Sequence, residues 1–268
     1  MSETELSFAI PTCEERGSID RTIEKHTRLS IVVPAYNEAS MLSQNVELIE
    51  KVVSVITDSY EIVIAEDGCS DETATMVANM CNNCSKVVHV HSDHRLGKGL
   101  ALKRALKAST GQSLVFMDAD LATSLDHLHD VVKLLENGYD VAIGSRHIKG
   151  SYVRRPLSRA IASRIYNFLV KFLFWDNVSD HQCGFKGFND QTLKSVIDEV
   201  TEDGFLFDTE LIVRMKNKGL RIIEIPVKWA EPKDRIPKFN LLADGIKMGI
   251  ELIKLRFKLW AQGNQKST

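Results

Sequence analysis

Five short runs rich in β-branched and apolar residues, Leu29–Val33, Tyr60–Ala65, Lys86–His91, Ser113–Met117 and Asp140–Ile143, alternate with helical stretches near residues 40–57, 71–82, 98–109 and 124–137. A strand that returns through a helix to a neighbouring strand makes a right-handed crossover, and repeating that unit lays the strands side by side in one direction. The alternation therefore specifies an α/β fold: a Rossmann-like, mainly parallel sheet with helices on both faces. Its 268 residues, 44% of them apolar, suffice to bury such a core. Parallel strands bring their C-terminal ends to one edge, where open α/β sheets bind ligands. The loops Pro34–Glu38, Glu66–Asp71 and Asp118–Ala122 are expected to converge there.

The chemistry those loops offer is specific. Asp118-Ala119-Asp120 directly follows the apolar run Leu114–Met117. Two carboxylates one residue apart at a strand end are hard oxygen ligands suited to Mg²⁺ or Mn²⁺, with substrate phosphates completing the shell. A solvated acidic turn has the same composition, so the neighbouring loops decide. In Pro34-Ala35-Tyr36-Asn37-Glu38 the proline halts the ladder, the ring can pack beside a nucleobase, and Glu38 can accept from a ribose or base donor. The bland alternative is a turn with Asn37 or Ser40 as helix N-cap. In Glu66-Asp67-Gly68-Cys69-Ser70-Asp71 the Asp67 carboxylate can read a base or ribose, Gly68 permits the tight turn, and Ser70 or Asp71 can cap the next helix. Taken together the three loops describe a site for a nucleoside diphosphate with a divalent cation. Neither a Gly-x-x-x-x-Gly-Lys-Ser/Thr loop nor a Gly-x-Gly-x-x-Gly fingerprint is present, which disfavours ATPase and dinucleotide chemistry. Gly97-Lys98-Gly99 lacks the residues of either pattern.

The remaining features bound the setting. A net charge of −2 argues against a nucleic-acid partner. Five cysteines, an odd number, predict no disulfide framework and a reducing compartment. Cys81-Asn-Asn-Cys84 is a single pair, expected to be an inert helix end. Residues 1–28 read as a polar extension without the apolar segment of a signal peptide. No uncharged apolar run reaches the roughly 18 residues of a membrane span, so a soluble or peripheral protein is expected. From Ser145 to Trp175 there is no acidic residue but seven Lys and Arg: Arg146, Lys149, Arg154, Arg155, Arg159, Arg164 and Lys171. Phe207–Lys218 has helical character, Arg221–Trp229 that of a strand. Leu241–Trp260 reads as a helix with a narrow polar stripe (Asp244, Lys247, Glu251, Lys254, Lys258), which must bury most of its circumference against protein or lipid.

In order along the chain, "IVVPAYNE", "AEDGCSDET", "GKGLALKRALKASTG", "FMDADLAT", "VAIGSR" and "HQCGFKGF…GFLFDTEL" resemble the family 2 glycosyltransferases of GT-A fold. Within them the chain is most similar to polyprenyl-phosphate sugar synthases of the dolichyl-phosphate glucose type, over residues 29–260. The resemblance implies that Pro34, Tyr36, Glu38 and Asp67, flanked by Ala65 and Ala119, hold the nucleoside. It implies that Asp118 and Asp120 hold a divalent metal, Mg²⁺ or Mn²⁺, and the diphosphate. Arg146 would face the acceptor phosphate with Arg154 or Arg155 beside it, Asp180 and Asp208 would lie near the sugar, and Arg235 and Lys238 would sit in a loop closing over the donor. Asp118, Asp120, Arg146, Asp180 and Asp208 form the implied catalytic set. There are departures: Glu66 stands where the family usually has Asp, Ala122 where mannose-type enzymes have Gln, and Pro237-Lys238 where Ser-Lys is common; the transmembrane helices frequent in relatives are not seen.

The implied reaction moves glucose or N-acetylglucosamine, with inversion, from a UDP-sugar rather than a GDP-sugar to dolichyl or another polyprenyl phosphate. This would feed lipid-linked protein glycosylation from a peripheral position on the cytoplasmic face of a membrane. A phosphate acceptor is already ionised and needs positioning and charge neutralisation more than a base. The expected organisation is an extension over 1–28, a catalytic domain over 29–230, and a closing loop with an amphipathic membrane-interface helix over 231–268. Two alternatives stay open: transfer to a hydroxyl of a glycan or glycolipid, with Asp180 or Asp208 as base, and a non-catalytic membrane-associated scaffold.

Overall fold

The structure, a computed structural model, describes residues 27–232 and 243–265. Arg235, Lys238 and nearly all of the 1–28 extension lie outside the described residues. In chain order the elements are β1 (Leu29–Ala35), α1 (Leu42–Ile56), β2 (Tyr60–Glu66), α2 (Thr73–Asn83), β3 (Val87–Val90), α3 (Lys98–Ala108), β4 (Ser113–Met117), α4 (Leu128–Glu136), β5 (Val141–Ser145), β6 (Tyr152–Arg154), α5 (Leu157–Phe174), β7 (Phe185–Asn189), α6 (Asp190–Ile197), α7 (Phe207–Asn217), β8 (Ile222–Pro226), β9 (Lys228–Ala230) and α8 (Ala243–Gln265). A seven-stranded sheet runs β3-β2-β1-β4-β7-β5-β8 and a small sheet pairs β6 with β9. The main sheet is parallel except for β7, which pairs antiparallel with both β4 and β5.

Chain order reverses between β1 and β4, the switch point at which a crevice opens beyond the strand ends. β4 and β5 are buried at every position, as a central strand covered on both faces must be. Leu42, Val46, Ile49 and Val53 form the inward stripe of α1 at helical spacing. On the opposite face of the sheet, Leu102, Ala105 and Leu106 of α3 pack with Phe207 and Leu211 of α7.

Several expectations change in detail. Pro34 halts the ladder on one side only: pairing with β4 ends at Val32, whereas pairing with β2 continues to Ala35. Neither Asn37 nor Ser40 caps α1, which begins without a side-chain cap; Asn37 Oδ1 instead accepts from the Ser70 amide at 2.9 Å. Asp71 does take the first amide of α2, from Thr73 at 3.0 Å. The 221–229 strand is divided at Val227 between β8 and β9. β7 escapes a pattern reading because its second residue is Lys186, yet that lysine is fully buried against Asp208. The acid-free segment folds into β6 and α5, whose arginines obscure an apolar stripe.

Candidate active site

A cleft of about 570 Å³ opens at the ends of β1, β2 and β4. Pro34, Tyr36, Glu38, Asp67, Asp118, Ala119 and Asp120 line it together, as expected, and Arg95, Lys98, Glu202 and the α8 residues Lys247 and Glu251 join them. A groove of about 470 Å³ between α1 and α2 contains none of the strand-end loops. Ala65 does not line the cleft; it is buried in the core beneath it.

At the β1–β2 end of the cleft, Asp67 accepts the backbone N–H groups of Leu96 at 2.6 Å and Gly97 at 3.1 Å, so its carboxylate fixes the loop after β3. That loop packs so closely on Gly68 (φ 59°) that a Cβ there would lie 2.4 Å from the His94 carbonyl carbon. It also sets the Arg95 guanidinium 4.0 Å from the Tyr36 ring centroid, a cation–π contact. Arg95 escaped the sequence reading because nothing in a basic residue 59 positions from Tyr36 announces that the loop folds back on it.

At the β4 end of the cleft, Lys98, the first residue of α3, places Nζ 2.8 Å from Asp118 Oδ1. Burial alone would raise the Asp118 pKa, but Lys98, Lys186 and Arg146 outweigh it and hold the carboxyl below its usual range. Burial likewise opposes the Lys98 charge, and Asp118 followed by Asp208 overcomes it, keeping the ammonium well above its usual value. The Asp118 amide donates to Gly184 O at 3.0 Å, and its carboxylate occupies the space of a side chain at 184: a Cβ there would fall 1.7 Å from Oδ2. Asp120 Oδ1 accepts from the Ala122 amide at 3.1 Å. Two carboxylates one residue apart, the first over a glycine cradle, fit a hard divalent cation that takes its other ligands from phosphate.

Beyond this lies a second charged layer. The backbone N–H, Nε and Nη2 of Arg146 all donate to Asp180, at 2.9, 2.7 and 2.9 Å. Burial opposes ionisation of Asp180, but Arg146 overrides it and holds the pKa well below the usual range. Asp208 accepts from the buried Lys186 ammonium at 2.6 Å. Asp180 and Asp208 are buried ion-pair partners beneath the cleft rather than groups lining it. The Nε–Nη2 edge of the Arg146 guanidinium is taken up by Asp180. Arg155 differs: its Nε is buried without a hydrogen-bond partner among the described residues. Burial and then Arg146 pull its pKa down from the usual arginine value, as expected of cations gathered in one place. His147 lies in the same field, lowered by burial and by Arg146, Arg155 and Arg164 despite Asp180. Arg154 is exposed on β6.

The glycosyl transferase family 2 profile matches residues 30–197. The chain belongs to glycosyltransferase family 2. It is 39% identical over 234 residues to glycosyltransferase AglD of Haloferax volcanii, covering 86% of this chain and 37% of AglD. It is 30% identical over 244 residues to the dolichyl-phosphate beta-glucosyltransferase of Dictyostelium discoideum, covering 86% of this chain and 74% of that protein. Thus it spans little more than a third of AglD but about three quarters of the glucosyltransferase. Its fold is that of glucosyl-3-phosphoglycerate synthase from Mycobacterium tuberculosis, solved with Mn²⁺, UDP and glucosyl-3-phosphoglycerate: TM-score 0.61 at 19% identity, over 86% of this chain and 80% of that one. A GT-A-type, mostly parallel sheet flanked by helices is therefore common to both, and this chain is a glycosyltransferase.

Proposed function

We propose that the enzyme transfers glucose from UDP-glucose to the phosphate of dolichyl or another polyprenyl phosphate, with inversion, on the cytoplasmic face of a membrane. The observation that carries the acceptor is the buried Nε of Arg155, which has no partner among the described residues and lies in the field of Arg146. A buried donor left unpaired is costly, and an anionic oxygen is the partner it lacks. The neighbouring carboxylates, Asp180 and Asp208, are each held by a cation, which leaves neither placed as a general base for a hydroxyl. A phosphate monoester needs none. Its oxygen forms the new bond to the anomeric carbon as the bond from that carbon to UDP breaks, and the electron pair leaves on the UDP phosphate.

In this reading Tyr36, Glu38 and Asp67 orient the nucleoside, and Lys98 offers a cation to the diphosphate beside Asp118. Asp118 and Asp120 would hold Mg²⁺ or Mn²⁺, which when bound supplies positive charge to the departing diphosphate. Arg155, with Arg164 nearby, would receive the acceptor and offset its repulsion from the donor.

The membrane side of the reading rests on two helices. Leu157, Ile161, Ile165, Phe168 and Phe172 make an exposed stripe on α5, extended by Trp175. α8 docks through Met248, Leu252 and Leu255, the last two packing with Val170 of α5, and it exposes Ile246, Ile250, Ile253, Phe257 and Trp260. Among the described residues no helix is long and apolar enough to cross a membrane. Two adjoining apolar stripes flanked by basic side chains suit the interface of an anionic bilayer, each basic group adding about 1 kcal/mol. Anionic vesicles with and without polyprenyl phosphate test both parts at once. The protein is expected to sediment with either vesicle at low salt, and to consume UDP-glucose at least about tenfold faster when the lipid phosphate positions the nucleophile. Equal consumption would remove the acceptor assignment, and protein left in the supernatant would remove the membrane surface.

A further inference from the structure

A second group of ligating side chains lies at the sheet edge, outside the donor cleft. Parallel register sets Ile64 beside His89 and Ala65 beside Val90, which brings Glu66 and His91 together one step further on. Residues 89 and 91 share one face of the extended chain. His91 Nδ1 is 2.5 Å from Glu66 Oε2, and His89 Nε2 is 3.8 Å from the same oxygen. The three ligating atoms all lie within 4.8 Å of one another.

The outer sides of two of these groups are already held. Glu66 Oε1 accepts the Cys69 amide at 2.5 Å, and His91 Nε2 faces Asp93 Oδ1 at 3.1 Å. Carboxylate support behind a ligating histidine is the usual outer shell of a metal site. His89 Nε2, in contrast, is buried with no hydrogen-bond partner among the described residues. Buried nitrogens are rarely left so, because the lost hydration is not repaid. The Glu66 side chain is fully buried while that of His91 is 33% exposed, so an ion has an entry path.

We propose that Glu66, His89 and His91 bind one Zn²⁺, with solvent in the fourth position. Two imidazoles and one carboxylate suit this borderline cation far better than the Mg²⁺ or Mn²⁺ matched to Asp118 and Asp120. The His91–Glu66 contact must lengthen to about 3.3 Å, the spacing of two ligands on a tetrahedral centre, a shift within reach of a partly exposed side chain. The ion would join the end of β2 to edge strand β3 and to the turn that follows. That turn leads into Arg95, which covers Tyr36, and into the Leu96 and Gly97 amides that bind Asp67. The site would thus stiffen the nucleoside end of the cleft without contributing to the transfer itself.

Metal-stripped full-length protein in saturating Mg²⁺, which fills the hard carboxylate site, is titrated with Zn²⁺ by calorimetry and with Co²⁺ by visible absorption. The expected result is one Zn²⁺ per chain, with a Co²⁺ spectrum of low-coordinate nitrogen–oxygen ligation. His89→Ala removes no hydrogen bond of Nε2 and should fold normally, yet lose affinity by more than the roughly 10–100-fold that an outer-shell change costs. Asp93→Asn should fall within that range, and Asp120→Asn should bind Zn²⁺ like the wild type. No binding, binding unchanged in His89→Ala, or binding lost in Asp120→Asn would each overturn the proposal. A Zn²⁺-dependent rise in melting temperature that is absent from His89→Ala would support it independently of activity.

Discussion

Asp120→Asn is expected to lower turnover by about a thousandfold, the upper end of what removing one group that stabilises transition-state charge costs. The replacement keeps an oxygen that can still accept from the Ala122 amide, so the turn survives while the negative charge facing the cation is lost. Asp120 is partly exposed, and the melting temperature should move by no more than about 2 °C. Chelation of the wild type should produce a comparable loss, reversed by Mg²⁺ or Mn²⁺. Asp118→Asn would be harder to interpret, because it also deprives Lys98 of its partner at 2.8 Å. Retention of more than about a tenth of wild-type turnover in Asp120→Asn would contradict the metal-site reading, given the size of such effects.

Arg155→Ala and Arg146→Ala should differ in kind, and the contrast is the second large effect. Arg155 has a buried donor without a partner among the described residues, so its removal should reduce kcat/KM for polyprenyl phosphate by about 10–100-fold, equivalent to a lost charged hydrogen bond of about 1.5–3 kcal/mol. Its KM for UDP-glucose should stay near the wild-type value. Arg146→Ala instead leaves Asp180, which is fully buried, without its cation, and breaking a buried pair costs about 3–5 kcal/mol of stability. Denaturant unfolding separates the two. Arg155→Ala should unfold near the wild-type midpoint, and Arg146→Ala well below it. If Arg155→Ala left acceptor kinetics unchanged, the acceptor phosphate would have to be placed elsewhere.

The parts of the site that were legible in the sequence share a physical property: their position follows from strand direction. Pro34, Tyr36, Glu38, Asp67, Asp118, Ala119 and Asp120 all sit at or just past the ends of parallel strands, so predicting the sheet predicts their convergence. What could not be read depended on pairing across distance in sequence. Gly97-Lys98-Gly99 matches no phosphate loop, yet packing of α3 brings Lys98 to Asp118. The roles of Arg146, Asp180 and Asp208 shifted for the same reason: each charge is accounted for only once its partner in the fold is known. α5 was hidden by composition, since the basic residues of 145–175 mask the spacing of its exposed apolar stripe. α8 docks on α5 through one face and leaves apolar side chains exposed on another, so protein packing covers only part of its apolar circumference. Its Lys247 and Glu251 also reach the donor cleft, a contribution that no pattern within the helix announces.

A matched pair of lipids distinguishes a phosphate acceptor from a hydroxyl acceptor. The enzyme is incubated with radiolabelled UDP-glucose, Mg²⁺ and anionic vesicles carrying either a polyprenyl phosphate or the free polyprenol of the same chain length, and label in the lipid extract is measured. Labelled glycolipid is expected from the phosphate alone, with formation abolished by chelator and strongly reduced in Arg155→Ala. Equal labelling of the free polyprenol, or release of free glucose at the same rate with neither lipid present, would contradict it.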